Sequence, residues 1–439
     1  MNPATVAGFG FLAMLVLIAL RMPVGLAMFI TGSAGFVYFS GWTAFLSYMN
    51  TTPFYLFSNY TLSVIPLFIL MGAIAERSGL STKLFTAAAG LIGHRRGGLG
   101  MALIGACTAF GAICGSSVAT TATFARATLP EFKRYRYAPG FATGAIAVGG
   151  TLGILIPPSI ILVVYAITTE QNIAKLFKAA LVPGLMAAVF YCIVIALIAH
   201  RNPDVAPAHG KVGGKERVRT LLAVWPVLLV AVVVVGGIYG GVFTPTEGAG
   251  VGAVSMIVIA LAQRTLGWAE FRDSLLQTAE TSAMIFIIIL GSEVFDAFLG
   301  RSQLPEKAAQ FVTGFGLPPL GVIAVLMLFY ILLGAVMDEL AMILLTLPVF
   351  FPIVSALDFG LPPDETAIWF GILVLIVVGI GLTCPPIGLN VFVVSAIARD
   401  VPMMATYRGV VPFIAADIVR LGLVAAFPAL ALWLVRVLD

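Results

Sequence analysis

Gly153-Ile-Leu-Ile-Pro157-Pro158-Ser159 and Gly381-Leu-Thr-Cys-Pro385-Pro386-Ile387 set the architecture of this chain. Each interrupts a long uncharged run, 137–169 and 366–398, with a proline pair, and the pairs stand 228 residues apart. Proline removes an intrahelical hydrogen bond and clashes with the preceding turn. In hydrocarbon an unpaired backbone group costs several kcal/mol, so non-helical backbone persists only where it lines a cavity or meets a ligand. One such pair reads as a kink. Two at equivalent places read as two parts of one site.

Working outward, each pair is preceded by a hairpin. The uncharged stretch 97–125 is interrupted by Gly111, Gly115, Ser116 and Ser117, and both its flanks are basic: His94-Arg95-Arg96 before it, Arg126, Lys133, Arg134 and Arg136 after it. Cytoplasmic loops collect Lys and Arg. Both flanks therefore belong inside, and a re-entrant hairpin at about 97–130 is expected, turning at Gly115-Ser117. The segment 318–355 has Arg301, Glu306 and Lys307 before it and Asp358, Asp364 and Glu365 after it, with no basic cluster on either side. It is expected to enter from outside and turn near Gly334-Glu339. Gly334 follows Gly115 by 219 residues, and Leu181-Val182-Pro183 finds its counterpart in Val410-Val411-Pro412. Hairpins opening to opposite sides make the two copies inverted repeats, an architecture of alternating-access transporters.

Composition agrees. Of 439 residues, 60% are hydrophobic and 10% charged, against roughly 25% charged in soluble domains. The uncharged runs are too continuous for a transmembrane barrel, whose strands alternate, so the fold class is all-α, polytopic and membrane-embedded. Residues 5–20 read as a retained span and not a signal peptide. The expected organisation is 1–60 as scaffold spans, then 61–199 as a first repeat with its broken helix at about 138–170. A cytoplasmic linker, 200–219, contains His200, Lys211 and Lys215. Further scaffold spans follow at 220–275, and a second repeat at 276–439 has its hairpin at about 318–355 and its broken helix at about 366–398. Segments 81–93 and 301–316 read as short interfacial helices. Charge sorted by side makes no basic surface, so no nucleic-acid partner is expected; membrane lipid is. Cys107, Cys114, Cys192 and Cys384 lie in apolar segments without metal-ligand spacing.

The chemistry follows from the breaks. Free helix N-termini suit a carboxylate, whereas unwound carbonyls suit a small cation. The hydroxyls of Ser116, Ser117, Thr120, Thr151, Ser159 and Thr383 and the amide of Asn390 add neutral oxygens. Asp338-Glu339 at the second tip is functional if buried, and unremarked if the tip is shallow and wet. Arg21 reads either as a snorkelling boundary cation or as a group orienting the anion. Glu247 fits an N-cap box with Thr244 or Thr246, and Asp417 with Arg420, at i and i+3, fits a structural pair. No GxxxxGK[ST], HExxH or GxSxG occurs, so neither nucleotide coupling nor an enzyme is indicated.

At these residues the chain resembles the large membrane subunit of tripartite ATP-independent periplasmic (TRAP) transporters. The likeness runs from about 5 to 436 and is carried by Arg21-Met-Pro-Val-Gly25, His94-Arg-Arg-Gly-Gly-Leu99, Gly115-Ser-Ser-Val118, Ile156-Pro-Pro-Ser159, Thr244-Pro-Thr-Glu247 and Thr383-Cys-Pro-Pro-Ile-Gly-Leu-Asn390. The resemblance implies an elevator-type importer of organic acids in the bacterial inner membrane, driven by Na⁺, without nucleotide or organic cofactor. It also implies a small four-span membrane subunit and a periplasmic substrate-binding protein. Carried over, the family pattern puts one Na⁺ at Gly115, Ser116 and Ser117 with Gly149, Thr151 and Gly153. A second lies at Gly334 and Asp338 with Gly381 and Thr383, and the substrate carboxylate sits near Ser116, Ser117 and Asn390. Cys384, between Thr383 and Pro385, departs from that pattern. The alternative is a stand-alone Na⁺- or H⁺-coupled carboxylate transporter of the same fold, needing no binding protein.

Overall fold

The computed structural model describes residues 2–208, 210, 213–314 and 316–438, and all regular structure among them is helical. His209 and Lys211 of the linker lie outside the described residues. Three helices open the chain: α1 (Pro3–Ala19), α2 (Val24–Phe57) and α3 (Val64–Arg77). After α3 come α4 (Leu80–Ile92), a hairpin of α5 (Gly98–Cys114) and α6 (Ser117–Arg134), a broken pair α7 (Pro139–Leu155) and α8 (Ile160–Thr168), and α9 (Ile173–Arg201). Next are α10 (Gly214–Tyr239), α11 (Pro245–Ala262) and α12 (Trp268–Ser302). After α12 the same order recurs: α13 (Leu304–Gly314), the hairpin α14 (Pro319–Gly334) and α15 (Glu339–Ser355), the broken pair α16 (Pro363–Gly381) and α17 (Leu389–Ile397), and α18 (Met403–Ala426). A short α19 (Ala429–Leu438) closes the chain. Among the described residues, eight helices are long and apolar enough to cross a bilayer, or nine if α7 and α8, bent by 45°, form one span.

Both hairpins fold back on themselves through aromatic contacts. Phe110 and Phe124 meet edge-to-face at 5.5 Å across the first, and Tyr330 meets Phe350 at 5.2 Å across the second. The Tyr330 hydroxyl also lies 2.7 Å from that of Thr346, so a polar handle is satisfied inside the apolar pair.

The two halves are interlocked and not side by side. Gly32 of α2 sits so close to α12 that a Cβ there would lie 2.7 Å from the Phe295 backbone, the small-residue approach typical of membrane helix pairs. Helix α8 bonds to α16 through the Tyr165 hydroxyl and Ala367 O at 2.7 Å, and α7 meets α18 through the Thr143 and Thr406 hydroxyls at 2.9 Å. The broken pair α16–α17 orients the hairpins. At its beginning Trp369 packs on Phe359, just past the base of the second hairpin, at 5.1 Å. Beyond its end Asp400 pairs at 2.9 Å with Lys133, at the base of the first. The hairpin bases therefore lie at opposite ends of this broken pair, and their tips meet near its middle.

Two local expectations are realised. Thr244 and Glu247 close a capping box on α11, and Arg420 pairs with Asp417 at 2.8 Å in full burial on α18.

Candidate substrate and cation site

At the first tip, Gly115 ends α5 in the left-handed region at φ 65°, where a side chain would be strained. A Cβ there would also lie 2.9 Å from Pro158 O, so the tip rests directly on the first break. Ser116 is extended and caps α6, its Oγ accepting from Ala119 N at 3.4 Å. Gly153 passes close beneath, where a Cβ would lie 2.5 Å from Ser116 O. At the second tip, Asp338 caps α15 by accepting from Ala341 N at 3.3 Å. Gly334 and Gly381 are pressed backbone to backbone, a Cβ on Gly381 falling 2.7 Å from Gly334 Cα. Ala335 O accepts from Ile387 N at 3.2 Å and Gly388 N at 3.4 Å, which satisfies amides that the second break frees. Both Pro-Pro bonds are cis.

Both tips open on one cavity of about 530 Å³. Its wall takes Ser116 and Ala119 from α6, Ile160 from α8, Glu339 from α15 and Leu389 from α17, all within the first turns of these helices or at their caps. Four helix N-termini thus converge. Each carries about half a positive charge and free N–H groups, so their sum favours an anionic group in the cavity. The opposite wall comes from α3 and α12 and includes Glu76, Gln277 and Thr281.

The residues singled out from sequence divide into three groups. Gly115, Ser116 and Asp338 line the cavity. Ser117, Gly153, Gly334, Gly381, Thr383 and Asn390 are buried just behind it. Asn390 serves the first tip, where its Nδ2 donates to Ser117 Oγ at 2.8 Å and to Ala147 O at 3.0 Å. Its Oδ1, like the Ser159 hydroxyl, is buried without a partner, and such orphaned neutral oxygens suit a hard monovalent cation. The Thr383 hydroxyl, just past the end of α16, donates back to Ile380 O at 2.9 Å.

Three others lie apart from the cavity. Gly149 packs against Cys107, a Cβ there falling 3.1 Å from Sγ. The Thr151 hydroxyl turns away to Val148 O at 2.7 Å and to the Tyr191 hydroxyl at 3.2 Å. Arg21 is exposed in the turn between α1 and α2 at φ 69°, outside the cavity lining. Glu76, Gln277 and Thr281 were missed, although α3 and α12 occupy matching places in the repeat and that correspondence could have flagged them.

The family described as "Tripartite ATP-independent periplasmic transporter, DctM component" matches residues 11–430. The chain is 38% identical over 376 residues to the C4-dicarboxylate TRAP transporter large permease protein DctM of Pseudomonas aeruginosa, covering 85% of this chain and 86% of that protein. It is 30% identical to the sialic acid large permease SiaM of Vibrio cholerae, with 86% of each chain covered, and 30% identical to the ectoine/5-hydroxyectoine large permease UehC of Ruegeria pomeroyi, with 97% of each covered. The crystal structure of the Alcanivorax borkumensis YdaH transporter shares the fold, with a TM-score of 0.60 at 14% identity over 88% of this chain and 89% of that one.

Proposed function

The chain belongs to the DctM family of tripartite ATP-independent periplasmic transporters, and on that premise we propose that it is the large permease of a Na⁺-coupled secondary transporter importing an organic acid. A periplasmic binding protein delivers the substrate, and a small four-span membrane subunit completes the complex in the bacterial inner membrane. Relatives named for C4-dicarboxylates and for sialic acid support a carboxylate as substrate.

The observation that carries this reading is the convergence of four helix N-termini and two hairpin tips on one cavity. The substrate carboxylate takes the N-termini and Ser116. Cations neutralise the complex from the two breaks, one near Ser116, Ser117 and Asn390, the other near Gly334, Asp338, Gly381 and Thr383. The hairpins are re-entrant from opposite faces of the membrane. As the two repeats exchange roles, the cavity is carried between faces in an elevator movement, with α2 and α12 in the static frame. Each charge moved through 100 mV contributes about 2.3 kcal/mol, which drives accumulation without ATP.

The test is uptake by liposomes holding this chain with its small subunit and candidate binding proteins. Uptake should require an inward Na⁺ gradient and a loaded binding protein. Equal uptake with choline replacing Na⁺ would remove the Na⁺ coupling, and equal uptake by the chain alone would favour a stand-alone carrier.

A further inference from the structure

One face of α12 lines two cavities. Gln277, Thr281 and Ile285 border the cavity at the tips, and Ile289, Ser292 and Asp296 border a second of about 450 Å³. The steps between these residues are three or four throughout, which keeps them on one side of the helix. Helix α15 runs alongside, giving Leu340 to the first cavity and Leu344, Pro348 and Phe351 to the second. The first cavity reaches Glu76, 3.8 Å from Arg126 on the arm that leads to the base of the first hairpin. The second reaches Pro352, near the base of the second hairpin. The two therefore open toward opposite ends, with about one turn of each helix as the barrier between them.

At that barrier Ser292 Oγ donates to Leu344 O at 3.0 Å, and both residues are buried. Pro348 explains why this carbonyl accepts from outside its own helix. In an unbroken helix Leu344 O would take the N–H of residue 348, but proline has none, and its ring pushes the carbonyl aside. Ser292 in turn passes over a local acceptor. Ser274 and Thr278 of the same helix donate one turn back, to Glu270 O at 2.8 Å and Ser274 O at 2.7 Å, as hydroxyls inside helices commonly do. Ser292 reaches across to α15 instead, where an unpaired carbonyl at membrane depth is costly.

We infer that Ser292 is a positioning residue of transport: its bond to the carbonyl that Pro348 frees ties the second hairpin to α12 and holds the tip cavity at the end where Glu76 lies. The inference rests on the elevator movement proposed above, in which α12 stays and the hairpin travels. As α15 slides along α12 toward the second cavity, the bond breaks and cavity water takes over Leu344 O. Removing the Ser292 hydroxyl therefore favours the other end of the movement.

The experiment uses the chain with its small subunit in lipid nanodiscs, with Cys192→Ala and Cys384→Ala. Spin labels at Tyr60→Cys, exposed between α2 and α3, and Ser355→Cys, exposed at the base of the second hairpin, report the slide as a distance by pulsed electron resonance. Samples are measured without Na⁺, with NaCl, and with NaCl and a loaded binding protein. The wild type should move between two distances, and Ser292→Ala should raise the share of the second about threefold to tenfold, the worth of one net hydrogen bond. Ser292→Ala combined with Pro348→Ala gives Leu344 O the N–H of an alanine but no bond from α12, so its distribution should stay shifted. A Ser292→Ala distribution equal to the wild type, or shifted toward the first distance, would overturn the inference while the movement stands. A wild-type distribution in the double variant would also overturn it, because Ser292 would then only satisfy a carbonyl within α15. A single unchanging distance in every sample of a complex that still performs uptake would remove the elevator movement itself.

Discussion

The Asn390 side-chain amide donates to Ser117 Oγ at 2.8 Å across 273 residues of sequence, joining the broken helix of one half to the hairpin tip of the other. Both residues are fully buried, so the bond has no competing water. Removing one partner of a buried hydrogen bond costs about 1–3 kcal/mol. Asn390→Ala, which also abandons Ala147 O, should lower the melting temperature of the purified protein more than Ser117→Ala. Equal effects would mean that the contact to Ala147 contributes nothing.

The Gly334–Gly381 contact makes a sharper steric case. A Cβ on Gly381 would lie 2.7 Å from Gly334 Cα, backbone that cannot rotate away. Gly381→Ala should separate the second tip from its break at a cost of about 1–3 kcal/mol and reduce uptake at least tenfold. Gly105→Ala is the control, since nothing lies within 4 Å of its Cβ position. Uptake retained in Gly381→Ala would show that tip and break need not touch during transport.

Asp417 and Arg420 form a buried pair that Tyr191 extends, its hydroxyl donating to Asp417 Oδ2 at 2.7 Å. Breaking one side of a buried pair costs about 3–5 kcal/mol, because a charge is left alone. Arg420→Met should therefore abolish folded protein on size-exclusion chromatography. Asp417→Asn combined with Arg420→Met should restore a folded peak. Failure of the double variant would give Arg420 a role beyond its partner, such as its bond to Pro183 O at 3.2 Å.

Lys133 and Asp400 pair outside the spans, and the hydrogen bond from Lys133 holds the Asp400 carboxyl below its ordinary value. A carboxylate lowered in the folded state stabilises fully above its unfolded value, about 4, and that contribution is lost as pH falls through the lowered one. Between about pH 5 and 8 Lys133→Met should have the same small effect on melting temperature. The effect should vanish near 1 M NaCl, where screening is strong. Cysteines placed at 96, 133 and 400 should react with an impermeant thiol reagent from one face of the membrane. A cysteine at 301 should react from the other. Labelling of positions 96 and 133 from opposite faces would turn the first hairpin into a plain crossing.

Hydropathy and charge are local properties, and they were enough to read the helical membrane class, the two hairpins, the two broken helices and their repeated order in the chain. Arg95, Arg96 and Lys133 locate the base of the first hairpin, and Pro157-Pro158 and Pro385-Pro386 locate the breaks, because each signal is written in neighbouring residues. Lateral partners are not written that way. An apolar helix offers every neighbour similar hydrocarbon, and the choice falls to close backbone approach at residues such as Gly32 and Gly381 and to individual polar bonds. Only the packed structure carries Asn390 to Ser117, turns Thr151 toward Tyr191, leaves Arg21 exposed outside the cavity lining and brings Glu339 in among four helix N-termini.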